Sequence, residues 1–179
     1  LASQFESKGF GVRFLSRNPH PDDNRYYQWD PSNGYVDTAA FDGVEILVIL
    51  SGENLADKLW TPWRRRNIVN SRVFPIKLLR ETLSKIPNRV KVVVSAAAIG
   101  IYGNTSDRIL HEDAPHGKGF VAGTCERWEG AAHRFGEMGI RTIILRIGLV
   151  LSRTGGIFPR LLQPLRFGIA PVFSNGKQY

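Results

Sequence analysis

The sequence predicts an α/β protein built on a doubly wound parallel sheet. Apolar segments at residues 44–50, 90–94 and 141–151 have the length and composition of strands buried in such a sheet. They alternate with amphipathic helical patterns at 62–84 and 120–136. Alternation of this kind favours a parallel sheet whose right-handed crossovers carry helices. Small or polar residues follow the first two of these strands, at the sheet edge where α/β proteins bind ligands.

The first elements are short. Residues 1–8 have the pattern of the end of an amphipathic helix, stopped by Gly9. A strand near residues 12–15 then runs into Ser16 and Arg17. Because the chain opens within an element, we expect a preceding strand and glycine-rich turn to be missing. Residues 20–38 are polar and rich in turn signals, which predicts a loop with a short edge strand at 26–29.

The centre of the chain is the stretch 90–103, in which valines give way to Ser95, Ala96 and Ala97. Small residues at the carboxyl end of a strand let a cofactor approach the backbone closely. The alternative is that these alanines only allow tight packing of a helix on the sheet. Before this strand, Thr61 and Pro62 have the residue types of an N-cap and a first helical position.

Length and charge limit the classes of partner. A chain of 179 residues predicts one domain, and its net charge of +8 raises the question of nucleic acid. Apart from the run at residues 64–66, the basic residues are dispersed and form no stripe interleaved with aromatics. We therefore expect no specific nucleic-acid partner, and favour an anionic small ligand or a solvated basic surface.

Cysteine content and hydropathy argue against several kinds of site. Cys125 is the single cysteine, which excludes an internal disulfide and agrees with a reducing compartment. His and acidic residues in the loop 104–118 share no helical face, so we expect no metal site. No apolar run approaches the ~20 residues of a membrane span, and no signal-peptide pattern opens the chain. These observations predict a cytoplasmic protein without membrane contact.

An ordered set of motifs covers essentially the whole chain and resembles one known family. The set resembles the atypical extended short-chain dehydrogenase/reductases of the nucleoside-diphosphate-sugar epimerase-like type. Its pieces are LSRNP at 15–19, SGENLAD at 51–57, LWTP at 59–62, SAAAIGIYG at 95–103, CERWE at 125–129, LRIGLVL at 145–151, the glycine pair at 155–156 and NGKQY at 175–179.

The resemblance implies an NAD(P)-binding Rossmann domain followed by a small substrate lobe. Residues 1–179 would then be a partial Rossmann domain, with 152–179 leading into that lobe. The first strand with its glycine turn and the remainder of the lobe would be missing.

The resemblance also implies a cofactor site at the strand ends. Ser16 and Arg17 would lie at the adenosine ribose, where a guanidinium favours the 2′-phosphate of NADP over NAD. The other expected cofactor contacts are Leu50, Ser51, Gly52, Ser95 and Ala96. The alternative for Arg17 is a solvated cation at the end of a strand.

Catalytic residues are less complete. The family's Tyr-x-x-x-Lys pattern falls on Val121 and Cys125, and its second hydroxyl falls on Ala97. Only Ser95 and Tyr102 remain to supply hydroxyls near a nicotinamide. Arg146 would either face a substrate phosphate or pair with Glu129, and the sequence does not separate these roles.

Two interpretations follow. One is an NADP-dependent epimerase or oxidoreductase that acts on a sugar nucleotide or similar small molecule. The other is a catalytically inactive dinucleotide-binding protein with a regulatory or structural role. The sequence does not determine the oligomeric state.

Overall fold

A computed structural model describes residues 1–55, 58–152, 162–164 and 167–169. The chain divides into two compact units, residues 1–146 and 147–179. The first unit contains nearly all of the regular structure in the described part of the chain. The predicted glycine turn at 155–156 and the closing motif at 175–179 lie outside the described residues.

Six strands and three α-helices are present in the described ranges. The helices are α1 (Ala2–Glu6), α2 (Pro62–Leu83) and α3 (Phe120–His133). The strands are β1 (Phe14–Ser16), β2 (Tyr26–Asp30), β3 (Tyr35–Val36), β4 (Ile46–Ile49), β5 (Val92–Ala98) and β6 (Arg141–Ile147).

The strands form two three-stranded sheets among these residues, ordered β1-β2-β3 and β4-β5-β6. β1 pairs in parallel with β2, which turns back on β3 as an antiparallel partner. β4 and β5 are parallel. The predicted parallel α/β architecture is therefore confirmed.

One hydrophobic core lies beneath both sheets of the first unit. Ile76 and Leu79 of α2, Val93 of β5 and Phe135 after α3 are almost completely buried. Leu15 of β1 and Tyr27 of β2 pack against the same cluster, together with Val36 of β3. Apolar burial in a single cluster holds the two sheets in one unit.

Helix α2 begins as its sequence predicts. The Thr61 hydroxyl accepts a hydrogen bond from the Arg64 amide at 3.2 Å, and Pro62 occupies the first turn. A side-chain cap of this kind satisfies one of the amides that have no partner within the helix. The helix continues through Pro75 to Leu83.

Two elements differ from the sequence expectation. The segment predicted as a loop with one edge strand contains the β2–β3 hairpin, because residues 31–34 make a turn within it. The outer strands β4 and β6 are less buried than predicted, since Ile46 is 49% and Leu145 is 45% exposed. Helices α2 and α3 pack against each other and so cover the same side of the sheet. β5 alone has the predicted continuous burial.

Candidate functional site

The register of β4 and β5 brings the predicted cofactor contacts together. Ile49 lies opposite Ser95 in the parallel pair. β4 ends at Ile49, so Leu50–Gly52 follow its carboxyl end directly, and Ala96 is the next residue of β5 beside them. This edge is where an open α/β sheet receives a ligand.

Ser51 carries the clearest sign of a missing partner at this edge. Its hydroxyl oxygen is buried and makes no hydrogen bond within the described structure. Buried polar atoms in folded proteins are almost always paired, so an orphaned hydroxyl indicates a ligand or water at that position. Leu50 beside it is 56% exposed and offers apolar surface. The residues present thus fit a ligand that offers both a hydrogen-bonding group and apolar surface.

Helix α2 clamps the loop that follows β4. The Arg72 Nη2 donates to the Glu53 carbonyl oxygen at 3.0 Å, and the Glu53 amide donates to the Ser71 hydroxyl at 3.1 Å. Arg64 forms an ion pair with the Glu53 carboxylate and donates from Nη2 to the Asn54 carbonyl at 2.7 Å. The clamp fixes the backbone immediately beyond Ser51 and Gly52.

This role of Arg64 and Arg72 was not predicted from the sequence, in which Arg64 belongs to the basic run 64–66 and Arg72 to the dispersed basic residues. Both are only 8% exposed. A signal existed, because the two arginines lie four residues either side of Ile68 and so belong to the buried stripe of α2. Arg72 also stacks on the Trp128 ring, with its guanidinium carbon 5.2 Å from the ring centroid. Burial lowers the pKa of Arg72.

Ser16 and Arg17 end strand β1, in the other sheet of the same unit. The Ser16 hydroxyl accepts from the Asn18 amide at 3.1 Å and donates to the Asn18 carbonyl. The Arg17 side chain is exposed. The carboxylate of Asp23, in the loop before β2, is held by Arg25, whose hydrogen bonds lower the pKa of Asp23 to about 2. The Asp23 carboxylate is therefore already paired with Arg25.

Ser95 and Tyr102, the predicted hydroxyl donors, lie in enclosed positions. Ser95 has no exposed surface, and its hydroxyl donates to the Ala96 carbonyl at 3.1 Å. Tyr102 is 9% exposed, and its hydroxyl accepts from Arg146 Nη1 at 2.7 Å. The geometry gives each hydroxyl an internal partner, and their catalytic roles stay predictions.

Arg146 makes the internal pair that the sequence left as one of two alternatives. Its Nε and Nη2 atoms donate to the two carboxylate oxygens of Glu129, each at 2.9 Å. Its Nη1 donates to the Tyr102 hydroxyl and to the Glu112 carbonyl. These hydrogen bonds raise the pKa of Arg146. Because all of its terminal nitrogens are engaged within the protein, a substrate phosphate would have to displace one of these contacts.

The positions assigned to the family's tyrosine and lysine face the end of β5. A Cβ placed on Gly100 would lie 2.6 Å from Val121 Cγ1 and 3.8 Å from Cys125 Sγ. Val121 and Cys125 therefore cover Gly100, and neither can exchange a proton as a phenol or ammonium does. Burial and the neighbouring Glu129 carboxylate raise the pKa of the Cys125 thiol.

Other kinds of site lack support in the described ranges. Within them, no group of three His, Cys, Asp or Glu side chains is placed to hold a metal ion. His116 of the loop before α3 contacts the Glu126 carboxylate at 3.0 Å. Among the described residues, no helix is long and apolar enough to cross a membrane.

Comparison with known proteins identifies the relatives of the chain. No family model matches it. An epimerase family protein of Mycobacterium leprae is 33% identical over 168 residues, which are 94% of this chain and 53% of that protein. The chain is a homologue of the epimerase family proteins. The chain spans about half the length of the curated relatives it matches.

Solved structures agree with this relationship to the epimerase family. A nucleoside-diphosphate sugar epimerase from Corynebacterium glutamicum is 32% identical with a TM-score of 0.78, over 97% of this chain and 35% of that chain. The human epimerase family protein SDR39U1, solved with NADPH, is 26% identical with a TM-score of 0.82. That match covers 99% of this chain and 58% of the human one. The resemblance to extended short-chain dehydrogenase/reductases is confirmed.

Proposed function

We propose that this chain supplies the dinucleotide-binding edge of an NADP-dependent, epimerase-like protein that acts on a sugar nucleotide or a similar small molecule. The human relative solved with NADPH and the relative named a nucleoside-diphosphate sugar epimerase support the proposal. So does the grouping of Leu50–Gly52 beside Ala96 at the carboxyl edge of β4 and β5.

The observation that carries the proposal is the buried Ser51 hydroxyl without a partner. In the proposed complex Ser51 hydrogen bonds to the cofactor and Leu50 packs on its apolar surface, while Gly52 lets the Arg72 side chain lie close to the loop backbone. A nicotinamide dinucleotide supplies the hydride donor or acceptor that oxidoreductase and epimerase chemistry requires. Arg64 and Arg72 contribute indirectly by fixing the loop.

Selectivity for NADP rests on Arg17. Its exposed guanidinium follows β1, where the ribose of a dinucleotide lies in Rossmann proteins. A guanidinium binds a phosphate through charge-assisted, often bidentate hydrogen bonds. We therefore propose that Arg17 binds the 2′-phosphate and that Ser16, with its hydroxyl turned to Asn18, shapes the turn.

Titration of two variants with NADPH and NADH tests the proposal. Arg17→Ala is expected to weaken NADPH by about tenfold or more and to leave NADH nearly unchanged, because one charged hydrogen-bonding group is lost. Ser51→Ala is expected to weaken both cofactors by about two- to tenfold without lowering the melting temperature, since no internal hydrogen bond is removed.

Arg141→Ala is the matched control, since Arg141 is an exposed arginine at the start of β6. It should change neither affinity. Equal losses of NADPH and NADH in Arg17→Ala would refute the 2′-phosphate role. Unchanged affinities in Ser51→Ala would refute the site.

A catalytically inactive dinucleotide-binding protein is the second candidate. Val121 and Cys125 stand where the catalytic tyrosine and lysine of the family are expected, and they are packed against Gly100. Assays with sugar nucleotides and NADP(H) separate the candidates: turnover lost in Ser95→Ala and Tyr102→Phe supports an enzyme that uses these hydroxyls. Cofactor binding without any turnover supports the second candidate.

A further inference from the structure

We propose that a cavity between α2 and α3 is a binding site for a small phosphate-bearing anion, separate from the dinucleotide edge. The cavity is open to solvent, has a volume of about 360 Å³ and is lined by the exposed residues Arg65, Arg66 and Arg127 together with Val69, Asn70 and Phe120. Small-molecule sites in proteins have volumes of roughly 300–1,000 Å³. This proposal does not depend on the proposed cofactor.

Helical spacing explains how the lining residues converge. Positions 65, 66, 69 and 70 recur on one face of α2, and positions 120 and 127 are two turns apart on α3. The two helices pack against each other, so these faces form adjoining walls. The clamp residues Arg64 and Arg72 point from α2 to the loop after β4 instead. The cavity is therefore not the outer part of the cofactor edge.

Charge makes the cavity selective for anions. Among the described residues that line it, three carry guanidinium groups and none carries a carboxylate. The acidic side chains of α3 are engaged elsewhere, because Glu126 contacts His116 and Glu129 pairs with Arg146. Within the described structure, Arg66 and Arg127 have no ion-pair partner. Uncompensated guanidinium groups around one cavity create a strong positive potential.

Geometry favours phosphate over a planar ligand. The Arg65 guanidinium carbon lies 5.3 Å from the centroid of the Phe120 ring, which also meets the edge of Trp60. The ring is thus already occupied and holds Arg65 in place, rather than offering a face to a base. Guanidinium forks match phosphate oxygens in pairs, and the Asn70 amide adds a neutral donor.

Calorimetric titration with inorganic pyrophosphate tests the site. The expected result is saturable binding that the double variant Arg66→Gln/Arg127→Gln weakens by about tenfold or more, because two charge-assisted contacts are removed. The matched control is Lys77→Gln/Arg141→Gln, which removes the same charge from exposed positions outside the cavity. It should leave the affinity within about twofold, the change expected from screened long-range charge.

A second titration, with ADP, distinguishes a site for free phosphate groups from a site for a nucleotide. NADPH is present in this titration to fill the dinucleotide edge. Binding of both anions indicates a phosphate site that accepts free or nucleotide-borne groups, and binding of ADP alone indicates a nucleotide. Absence of binding by either, or equal losses in the cavity and control variants, overturns the proposal.

A readout without substitutions guards against misfolding of the double variant. Phenylglyoxal modifies accessible arginines, and mass spectrometry maps the modified peptides. Pyrophosphate should protect Arg66 and Arg127 and leave Arg141 reactive. Equal modification of all three with and without pyrophosphate contradicts the site.

Discussion

The Glu129 carboxylate is 5% exposed in the side chain and depends on one cation for its neutralisation. Arg146 provides a bidentate pair with both oxygens, and the arginine is itself 19% exposed. A carboxylate at this depth is tolerated because it is paired and hydrogen bonded. The pair also links α3 to β6 and fixes the Tyr102 hydroxyl.

Replacing Arg146 tests how strongly the buried Glu129 carboxylate depends on its ion pair. Arg146→Met should lower the free energy of unfolding by about 3–5 kcal/mol, because it leaves the Glu129 charge buried and unpaired. Urea denaturation at pH 7 measures the loss. The double variant Arg146→Met/Glu129→Gln should recover part of it. A loss below about 1 kcal/mol, typical of an exposed pair, would contradict the buried geometry.

The reactivity of the Cys125 thiol provides a second test of burial. It is 3% exposed, and burial raises the pKa of its thiol, so its reactive thiolate is scarce at neutral pH. Iodoacetamide at pH 7.5 should therefore label the native protein far more slowly than the urea-unfolded protein. Mass spectrometry over time gives both rates. Fast labelling of the native protein would contradict the burial of the thiol.

The loop between β5 and α3 depends on a close backbone approach at Gly117. The Gly117 amide donates to the Ile101 carbonyl at 2.8 Å. A Cβ on Gly117 would overlap the Tyr102 carbonyl oxygen and lie 2.7 Å from the Gly103 Cα. Backbone atoms on both sides cannot yield as a flexible side chain would.

Gly117→Ala should therefore destabilise the protein by about 1–3 kcal/mol, as overpacking does. The matched control is Gly130→Ala in α3, where an added Cβ meets nothing within 4 Å. Alanine there should stabilise the helix by about 0.5–1 kcal/mol. Thermal melting of the two variants should move in opposite directions. Parallel shifts would contradict the close approach.

The sequence predicts correctly those helices and strands whose formation depends on neighbouring residues in the chain. Thr61 and Pro62 specify the start of α2 without reference to the rest of the fold, and the valines of β5 specify a buried strand. The predicted strand at 26–29 corresponds to β2, whereas β3 was missed because it has only two residues and gains its order by pairing with β2. Pairing partners distant in the chain leave little local signal.

The candidate site follows the same rule. Its expected placement at the ends of β4 and β5 comes from a local feature, since small or polar residues follow apolar strand segments in the sequence. The contacts of Arg64, Arg72 and Arg146 were not predictable, because a long cationic side chain reaches either solvent or a buried partner from the same backbone position. Only the packing of α2 and α3 against the sheet decides between these outcomes.

Arg72 connects the hydrophobic core to the loop that follows β4, at the proposed cofactor edge. It is a buried cation that stacks on Trp128 and donates hydrogen bonds to the carbonyl oxygens of Ile68 and Glu53. Keeping a charge in this position costs solvation energy, in agreement with its lowered pKa. Arg72 thus holds the loop beyond Ser51 at a cost in solvation free energy.

The variant Arg72→Met should show whether Arg72 contributes mainly to the stability of the protein or to the order of the loop after β4. Methionine retains much of the buried volume and removes the desolvated charge, so the free energy of unfolding should change by less than about 2 kcal/mol. Amide exchange in the peptide containing Glu53 should become faster, and NADPH affinity should fall several-fold. Lys77→Met, an exposed change on the same helix, is the control and should alter neither. If exchange and affinity in Arg72→Met equal those of the control, the loop is held by Arg64 and Ser71 alone, and Arg72 serves only the packing of Trp128.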